Sequence, residues 1–321
     1  MPAMWSRRSF LAATAGAAGA AALATACGSD KPGTVAEDGS VTIKHAFGDT
    51  RIPAPPTRVV SAGLTSADDV LALGVVPIAV TDWFGGEPFG VWPWALPRLD
   101  GAHPVVLSLD DGIQVDQIAA LAPDLIVATD AGLDEDTYAE LSAVAPTVAQ
   151  SGSFAFFEPW REQATTIGQA VYHHEEMQKL IADVEAKFTK VNERPQFADK
   201  KALLLAGRLH RDAAQISSPS WRQEFLNQMG LSLAETQESL IPRDRMAAVL
   251  DSADVLIWAT ESDEEQAALL ADPTIAGLSA TAEQRNVFTG KELAGAIAYA
   301  STLSYPVVAE KLPPMIAAAL G

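Results

Sequence analysis

A loop at residues 81–94 concentrates aromatic side chains that could hold an organic ligand. Three of the seven tryptophans of the chain lie in it, Trp83, Trp92 and Trp94, together with Phe84. Its prolines and glycines disfavour a core helix or strand, and clustered rings in such a loop are typical of ligand-binding hollows. We therefore predict that these rings line a surface hollow. The alternative is that they cover the core of the segment to which they belong.

Basic and aromatic residues recur in the loops of the C-terminal half. Arg208 and His210 follow a predicted strand, Trp221 begins a predicted helix, and Tyr299 and Tyr305 lie in the last loop before the final helix. Arginine beside aromatic rings suits a planar or oxygen-rich anionic ligand. We predict that these side chains contact the ligand together with the four rings above. For His210, a solvated loop position is the alternative.

The residue pattern favours binding over catalysis. The chain contains no Gly-x-Ser-x-Gly segment, and Ser61 has no evident base partner. Gly85 and Gly86 lack the spacing of a phosphate-binding loop and do not open a helix. A zinc or manganese site needs converging histidines and carboxylates, and of the five histidines only His210 follows a predicted cleft strand. We therefore predict that the protein is not an enzyme and that none of its side chains binds a metal ion directly. A secreted hydrolase and a zinc- or manganese-binding protein are the less favoured alternatives.

Two α/β lobes joined by one long helix are predicted to position these loops. From Glu175 to Asn192, apolar residues at steps of three and four form a single stripe. Before this helix, buried strands at 58–60 and 125–128 alternate with helices, and strands at 201–205 and 255–258 do so after it. Such alternation predicts an α/β fold with mostly parallel sheets. Ligands of these sheets bind beyond the carboxyl ends of the strands, so we expect a cleft between the lobes.

Local signals predict a hairpin and several helix starts. Residues 41–52 alternate in the manner of a hairpin with its turn at Gly48-Asp49. Ser66 with Asp69, and Ser262 with Glu265, have the spacing of capping boxes.

Composition narrows the class of partner. The chain has 321 residues, 48% of them hydrophobic and 20% charged, as in a soluble globular protein. The net charge of −19, from 41 acidic and 22 basic residues, repels nucleic acid and anionic lipid. The single cysteine, Cys27, excludes an internal disulfide and a four-cysteine zinc site.

The N-terminus has the features of an exported lipoprotein. Arg7 and Arg8, followed by Phe-Leu and an alanine-rich apolar run, resemble a twin-arginine signal. Residues 24–27 resemble a lipobox, which implies that Cys27 is lipidated and anchors the protein at the outer face of the cytoplasmic membrane. The predicted organisation is a signal peptide (1–27), a flexible tether (28–40), an N-terminal lobe (41–157), helices including the interlobe helix (158–194) and a C-terminal lobe (195–321).

Four segments of the chain resemble the iron-siderophore solute-binding lipoproteins of ABC importers, the FecB/FhuD-like periplasmic-binding class, and within it the actinobacterial branch. They are residues 58–63, 71–75, 118–127 and 141–148, and the resemblance extends over nearly all of the chain after about residue 41. It implies a class III periplasmic-binding fold with small hinge motion. It further implies a ferric siderophore as ligand, Fe(III) held through that ligand with no other cofactor, a FecCD-type permease with its ATPase, and a monomer.

In this family an acidic residue on each lobe docks with arginines of the permease. The matching positions here are Asp116 and Asp244, both Asp where the family pattern has Glu. Each could instead be a helix N-cap.

The resemblance also bears on the type of ligand. Several relatives have an arginine where this chain reads Leu109-Asp110-Asp111-Gly112. Two carboxylates there disfavour a highly charged ferric catecholate and favour a low-charge hydroxamate or mixed siderophore. Haem is the alternative ligand, with Tyr299 or Tyr305 coordinating the iron.

Overall fold

Short β-strands make up the frame of this computed structural model, which describes residues 33–217, 220–234 and 239–321. In chain order the described strands are β1 (Val41–His45), β2 (Gly48–Ile52), β3 (Val59–Ser61), β4 (Ala79–Thr81), β5 (Val105–Leu107), β6 (Leu125–Ala128), β7 (Thr147–Ala149), β8 (Lys201–Ala206), β9 (Ala214–Gln215), β10 (Ser232–Leu233), β11 (Leu240–Ile241), β12 (Val255–Ala259) and β13 (Asn286–Phe288).

Two parallel sheets organise the two halves of the chain. The N-terminal sheet has the order β5-β4-β3-β6-β7 and the C-terminal sheet the order β10-β8-β12-β13. All neighbours within each sheet run parallel. The central strands β3 and β6 are buried at every residue, because helices cover both faces of a parallel sheet. Two antiparallel pairs, β1 with β2 and β9 with β11, lie outside these sheets.

Helices connect the strands and pack on both sheets. The described α-helices are α1 (Ser66–Ala72), α2 (Val115–Ala120), α3 (Glu135–Val144), α4 (Trp160–Ala170), α5 (His174–Asn192), α6 (Glu224–Gln228), α7 (Arg243–Leu250), α8 (Asp263–Ala271), α9 (Pro273–Ala276), α10 (Ser279–Ala282), α11 (Gly290–Tyr299) and α12 (Ser304–Leu320). None of these described helices has the length and apolarity required to span a bilayer.

Helix α5 joins the two halves as the sequence predicts. Its apolar stripe is buried at Met177, Ile181, Val184, Phe188 and Val191. The stripe packs against α4 from the N-terminal half and against α6 and α12 from the C-terminal half. Side chains of both halves therefore share one hydrophobic core along this helix. At roughly 1.5–3 kcal/mol for each fully buried large apolar side chain, this packing holds the helix firmly in place.

The predicted fold class, two mostly parallel α/β lobes joined by one long helix, is confirmed. One capping box is also confirmed, because the Ser262 hydroxyl accepts the Glu265 amide at 3.2 Å. The other is wrong: Thr65 is the N-cap of α1, without a side-chain cap, and Asp69 bonds elsewhere. The hairpin turn is also displaced, since Gly48 already pairs with His45 in the ladder.

The features predicted for the N-terminus lie partly outside the described residues. The signal peptide and Cys27 lie there, as does the start of the predicted tether. Its last residues are attached to the folded body: Arg51 pairs with Asp38 at 2.6 Å, and the Tyr172 hydroxyl donates to the Gly39 carbonyl at 3.0 Å. The lobe boundaries themselves remain predictions.

Candidate ligand-binding site

A cavity of about 460 Å³ lies at the carboxyl ends of the C-terminal strands, a volume typical of small-molecule sites. Its walls come from the ends of β8 and β12, from β9 and from one face of α11, and the loop at residues 81–94 closes one side. The lining side chains belong to Trp83, Phe84, Leu204, Leu205, Ala206, Gly207, Arg208, His210, Gln215, Ile216, Ser217, Arg222, Ala259, Glu261, Glu265, Ala294, Ile297 and Ala298. Only two of these eighteen residues belong to the N-terminal half.

Trp83 and Phe84 form the aromatic wall of the cavity. Both are partly buried, and their rings meet edge to face with centroids 4.7 Å apart. Trp83 also lies 5.4 Å from the Phe157 ring, which extends the wall. The structure thus places these two rings where the sequence predicts a ligand.

Trp92 and Trp94 lie behind this wall and do not line the cavity. Trp92 is only 1% exposed and packs against Gly295 of α11, where an added Cβ would come within 2.4 Å of the indole. Trp94 stacks on it with centroids 4.9 Å apart and donates its indole N–H to Asp68 at 2.8 Å. The prediction that Trp92 and Trp94 contact the ligand is therefore wrong, because both rings pack into the core beneath the loop.

The two tyrosines are also in the interior. Tyr305 is 1% exposed and packs against Trp160 and Phe188, with centroids 5.3 and 5.4 Å away. The predicted contact is wrong because α12 begins at Ser304, earlier than the sequence suggests, which turns Tyr305 into the core. Tyr299 is 4% exposed and supports the aromatic loop from behind.

Neither tyrosine is therefore presented to the cavity as an iron ligand. Burial raises the pKa of both phenols, which disfavours the tyrosinate that haem ligation requires. Among the described residues there is also no cluster of three or more His, Cys, Asp or Glu side chains that could hold a metal ion.

Three basic residues line the cavity. Arg208 and His210 lie there as predicted, and both are exposed to solvent. Trp221 does not line it; its indole instead donates to the Phe157 carbonyl at 3.0 Å across the two halves. The third basic residue, Arg222, was not predicted. It lies beside Trp221 in a short helical turn. The sequence around it predicts only the start of a helix and does not indicate a ligand contact.

Arg222 is the most constrained polar group of the site. It is 8% exposed, donates from Nη2 to the Ala298 carbonyl at 2.8 Å, and lies 4.2 Å over the Phe157 ring. Its Nε is buried and has no hydrogen-bond partner in the part of the chain that the structure describes. Burial lowers the pKa of this guanidinium, and the Tyr305 and Asp130 groups oppose that effect. A buried donor without a partner is costly, so a ligand oxygen at this position would satisfy it.

Two carboxylates partly balance the basic residues. Glu261 and Glu265 line the same cavity. Burial raises the pKa of Glu261, and Glu265 raises it further, while Arg208 and Lys291 lower it. The described walls of the cavity consequently carry both signs of charge.

The two predicted docking residues lie away from the cavity. Asp116 and Asp244 are both exposed, and each is the second residue of its helix, α2 or α7. The N-caps of these helices are Gln114 and Pro242, so neither aspartate is a cap. The two aspartates thus occupy the same position within their helices, and their docking role remains a prediction.

The chain is similar to several known proteins. A periplasmic solute-binding protein of Mycobacterium smegmatis is 66% identical, with a TM-score of 0.87 over 89% of this chain and 100% of that one. The putative ABC transporter substrate-binding lipoprotein YhfQ of Bacillus subtilis is 27% identical over 212 residues, 66% of this chain and 64% of YhfQ. The alignment thus spans slightly less than two thirds of that relative. The probable siderophore-binding lipoprotein YfiY of the same organism is 25% identical over 225 residues, 69% of this chain and 67% of YfiY.

The family described as periplasmic binding protein matches residues 59–293, which include most of both sheets and the interlobe helix. The resemblance found in the sequence is thereby confirmed. On its fold and on this match, the chain belongs to the periplasmic binding protein family.

Proposed function

We propose that this protein captures a ferric siderophore in the cavity between its halves and delivers it to an ABC permease. The observation that carries the proposal is the pairing of an aromatic wall, Trp83 and Phe84, with the unpartnered buried donor of Arg222. The similarity to YfiY, a probable siderophore-binding lipoprotein, supports the same ligand class.

The charges around the cavity favour a siderophore of low net charge. Glu261 and Glu265 offset Arg208 and Arg222, so the site does not offer the concentrated positive field that a trianionic chelate requires. Aromatic rings bind the apolar parts of a chelate, and Arg222 can donate to one hydroxamate or carboxylate oxygen. Fe(III) would be bound wholly by the siderophore, and we infer a hydroxamate or mixed type.

Delivery would use the acidic residues on both halves. Asp116 and Asp244 occupy equivalent exposed helix positions, which suits docking to arginines of a FecCD-type permease powered by its ATPase. We further propose a monomer that is exported by the twin-arginine route and held at the outer face of the cytoplasmic membrane through lipidated Cys27.

Titration with matched ferric complexes tests the ligand. The probes are ferrichrome as a neutral trihydroxamate, a ferric tris-catecholate as a trianion, and hemin, with quenching of tryptophan fluorescence as the readout. We expect saturable quenching by the trihydroxamate, weaker binding of the catecholate, and no tyrosinate-type Soret band with hemin. Tighter binding of the trianion would overturn the charge argument, and a Soret band would favour a haem carrier.

A chemical assay separates binding from catalysis. After incubation with the protein, the chelate should be recovered with unchanged mass, because the site contains no activated nucleophile among the residues that line it. Time-dependent formation of a modified or iron-free product would indicate an enzyme instead.

A further inference from the structure

Two adjacent carboxylates are buried where helix α1 of the N-terminal half meets the segment between α11 and α12. Asp68 is 2% exposed and Asp69 is fully buried. Asp68 Oδ2 accepts from the Ser301 hydroxyl at 2.5 Å and from the Trp94 indole at 2.8 Å. Asp69 Oδ1 accepts from the Thr302 hydroxyl at 2.6 Å and from its amide at 3.0 Å. The bonds from Ser301 and Thr302 connect positions 233 residues apart in the chain.

The same contact organises the start of α12. The Ser301 hydroxyl that donates to Asp68 accepts the amides of Leu303 at 3.2 Å and Ser304 at 2.9 Å. Ala300, with φ of 49°, ends α11 and turns the chain back toward α1. One hydroxyl thus bridges a carboxylate of one half and the first turn of a 17-residue helix of the other. The positive end of that helix favours negative charge nearby.

Burial makes the ionised form of this pair costly. It raises the pKa of Asp68 to about 7 and that of Asp69 to about 6, although hydrogen bonds from Ser301, Trp94 and Thr302 oppose the rise. The negative charge of Asp69 adds to the effect on Asp68. In addition, Asp69 Oδ2 is buried with no hydrogen-bond partner among the described residues, and the nearby Gln163 amide lowers the pKa of Asp69.

The groups facing the pair do not neutralise it. From α11, Tyr299 approaches with a phenol whose pKa is raised by burial and by the charge of Asp68. Asp82 and Asp130 act on the same phenol and are themselves acidic. Helix α4 contributes only the uncharged amide of Gln163. No cation is among the described groups that shift the pKa of either aspartate.

We propose that Asp68 and Asp69, with Ser301 and Thr302, form a proton-operated latch between the two halves of the protein. Proton uptake removes two adjacent buried charges. The hydrogen bonds from Ser301, Trp94 and Thr302 are stronger to the ionised carboxylates, but the cost of burying the charges outweighs them. The contact between the two halves is therefore most stable when both carboxyl groups are protonated, and it is destabilised when both are ionised.

The latch is connected to the cavity wall through aromatic contacts. Trp94, which donates to Asp68, stacks on Trp92, and the Trp92 ring lies 5.3 Å from Phe84 of the wall. One hydrogen bond and two ring contacts thus connect Asp68 with a residue that lines the site. The latch does not depend on which ligand the cavity accepts.

The sign of the pH effect follows from the raised pKa values. The folded protein binds more protons than the unfolded chain between the ordinary aspartate pKa of 3.8 and about 7. Stability contributed by the latch therefore increases as the pH falls through this window, and it is lost as the pH rises past the folded pKa.

The direct test follows the indole N–H of Trp94 by NMR from about pH 5 to about pH 8.5. Its signal, assigned by its loss in Trp94→Phe, should titrate with a midpoint near the pKa of about 7 of Asp68. The titration should be absent in Asp68→Asn and unchanged in Asp111→Asn, an exposed control. An indole signal that does not move with pH in the wild type would overturn the proposal.

Thermal unfolding gives a second, independent readout. Between about pH 8 and about pH 5.5, the melting temperature of the wild type should rise by roughly 5 °C more than that of Asp68→Asn, whereas Asp111→Asn should follow the wild type. If Asp68→Asn does not fold, Ser301→Ala replaces it. Loss of that donor should move the Trp94 midpoint to higher pH, and an unchanged midpoint would contradict the latch.

Discussion

Replacing Arg222 with glutamine removes the one buried cation among the described residues that line the cavity. Its Nε has no hydrogen-bond partner among the described residues, so under the proposed function its contribution to binding would come from a bond to the ligand. A charge-assisted hydrogen bond contributes about 1.5–3 kcal/mol, which corresponds to a roughly 10- to 150-fold weaker Kd in the variant. Isothermal titration with ferrichrome at neutral pH measures this change directly.

Arg208→Gln is the matched control for this substitution. Arg208 lines the same cavity but is exposed, so its loss should weaken binding less than about fivefold, because exposed charges contribute little. The Ala298 carbonyl loses its donor in Arg222→Gln, so folding of the variant is verified by its thermal unfolding. A folded Arg222→Gln protein with the affinity of the wild type would refute the assignment of Arg222 as the anchoring donor.

Three further predictions concern packing and transport. Gly295→Ala should lower the free energy of unfolding by about 1–3 kcal/mol, because its Cβ would come within 2.4 Å of Trp92. Gly152→Ala, where an added Cβ meets open space, should change that free energy little, and urea denaturation of both variants measures the difference. Phe188→Ala should cost about 3–5 kcal/mol in the same assay, since the ring is fully buried in the core shared by both halves. Asp116→Arg should leave ferrichrome affinity intact while abolishing its uptake by cells, and loss of both would mean that the docking surface is misplaced.

The parts of the fold that were predictable from the sequence are those determined by local periodicity. The stripe of α5 repeats over about four turns, and the apolar runs of β6 and β12 are bounded by turn residues, so each element is recognisable alone. The small β9–β11 pair was missed because two-residue strands carry no periodicity.

The cavity was less predictable because its depth depends on contacts distant in sequence. An aromatic loop is recognisable, but which rings face the ligand is decided by α11, more than 190 positions away. The buried carboxylates illustrate the same point. Asp69 has the spacing of a capping residue, yet its partner is Thr302, and no local pattern distinguishes the two roles.

The unequal contribution of the two halves to the cavity walls has a consequence for handover. Because only Trp83 and Phe84 come from the N-terminal half, a cargo held here would stay with the C-terminal half when the two separate. Separation of the two halves would expose the bound ligand to solvent but would not release it. Under the proposed function, release would in addition require breaking the contact with Arg222.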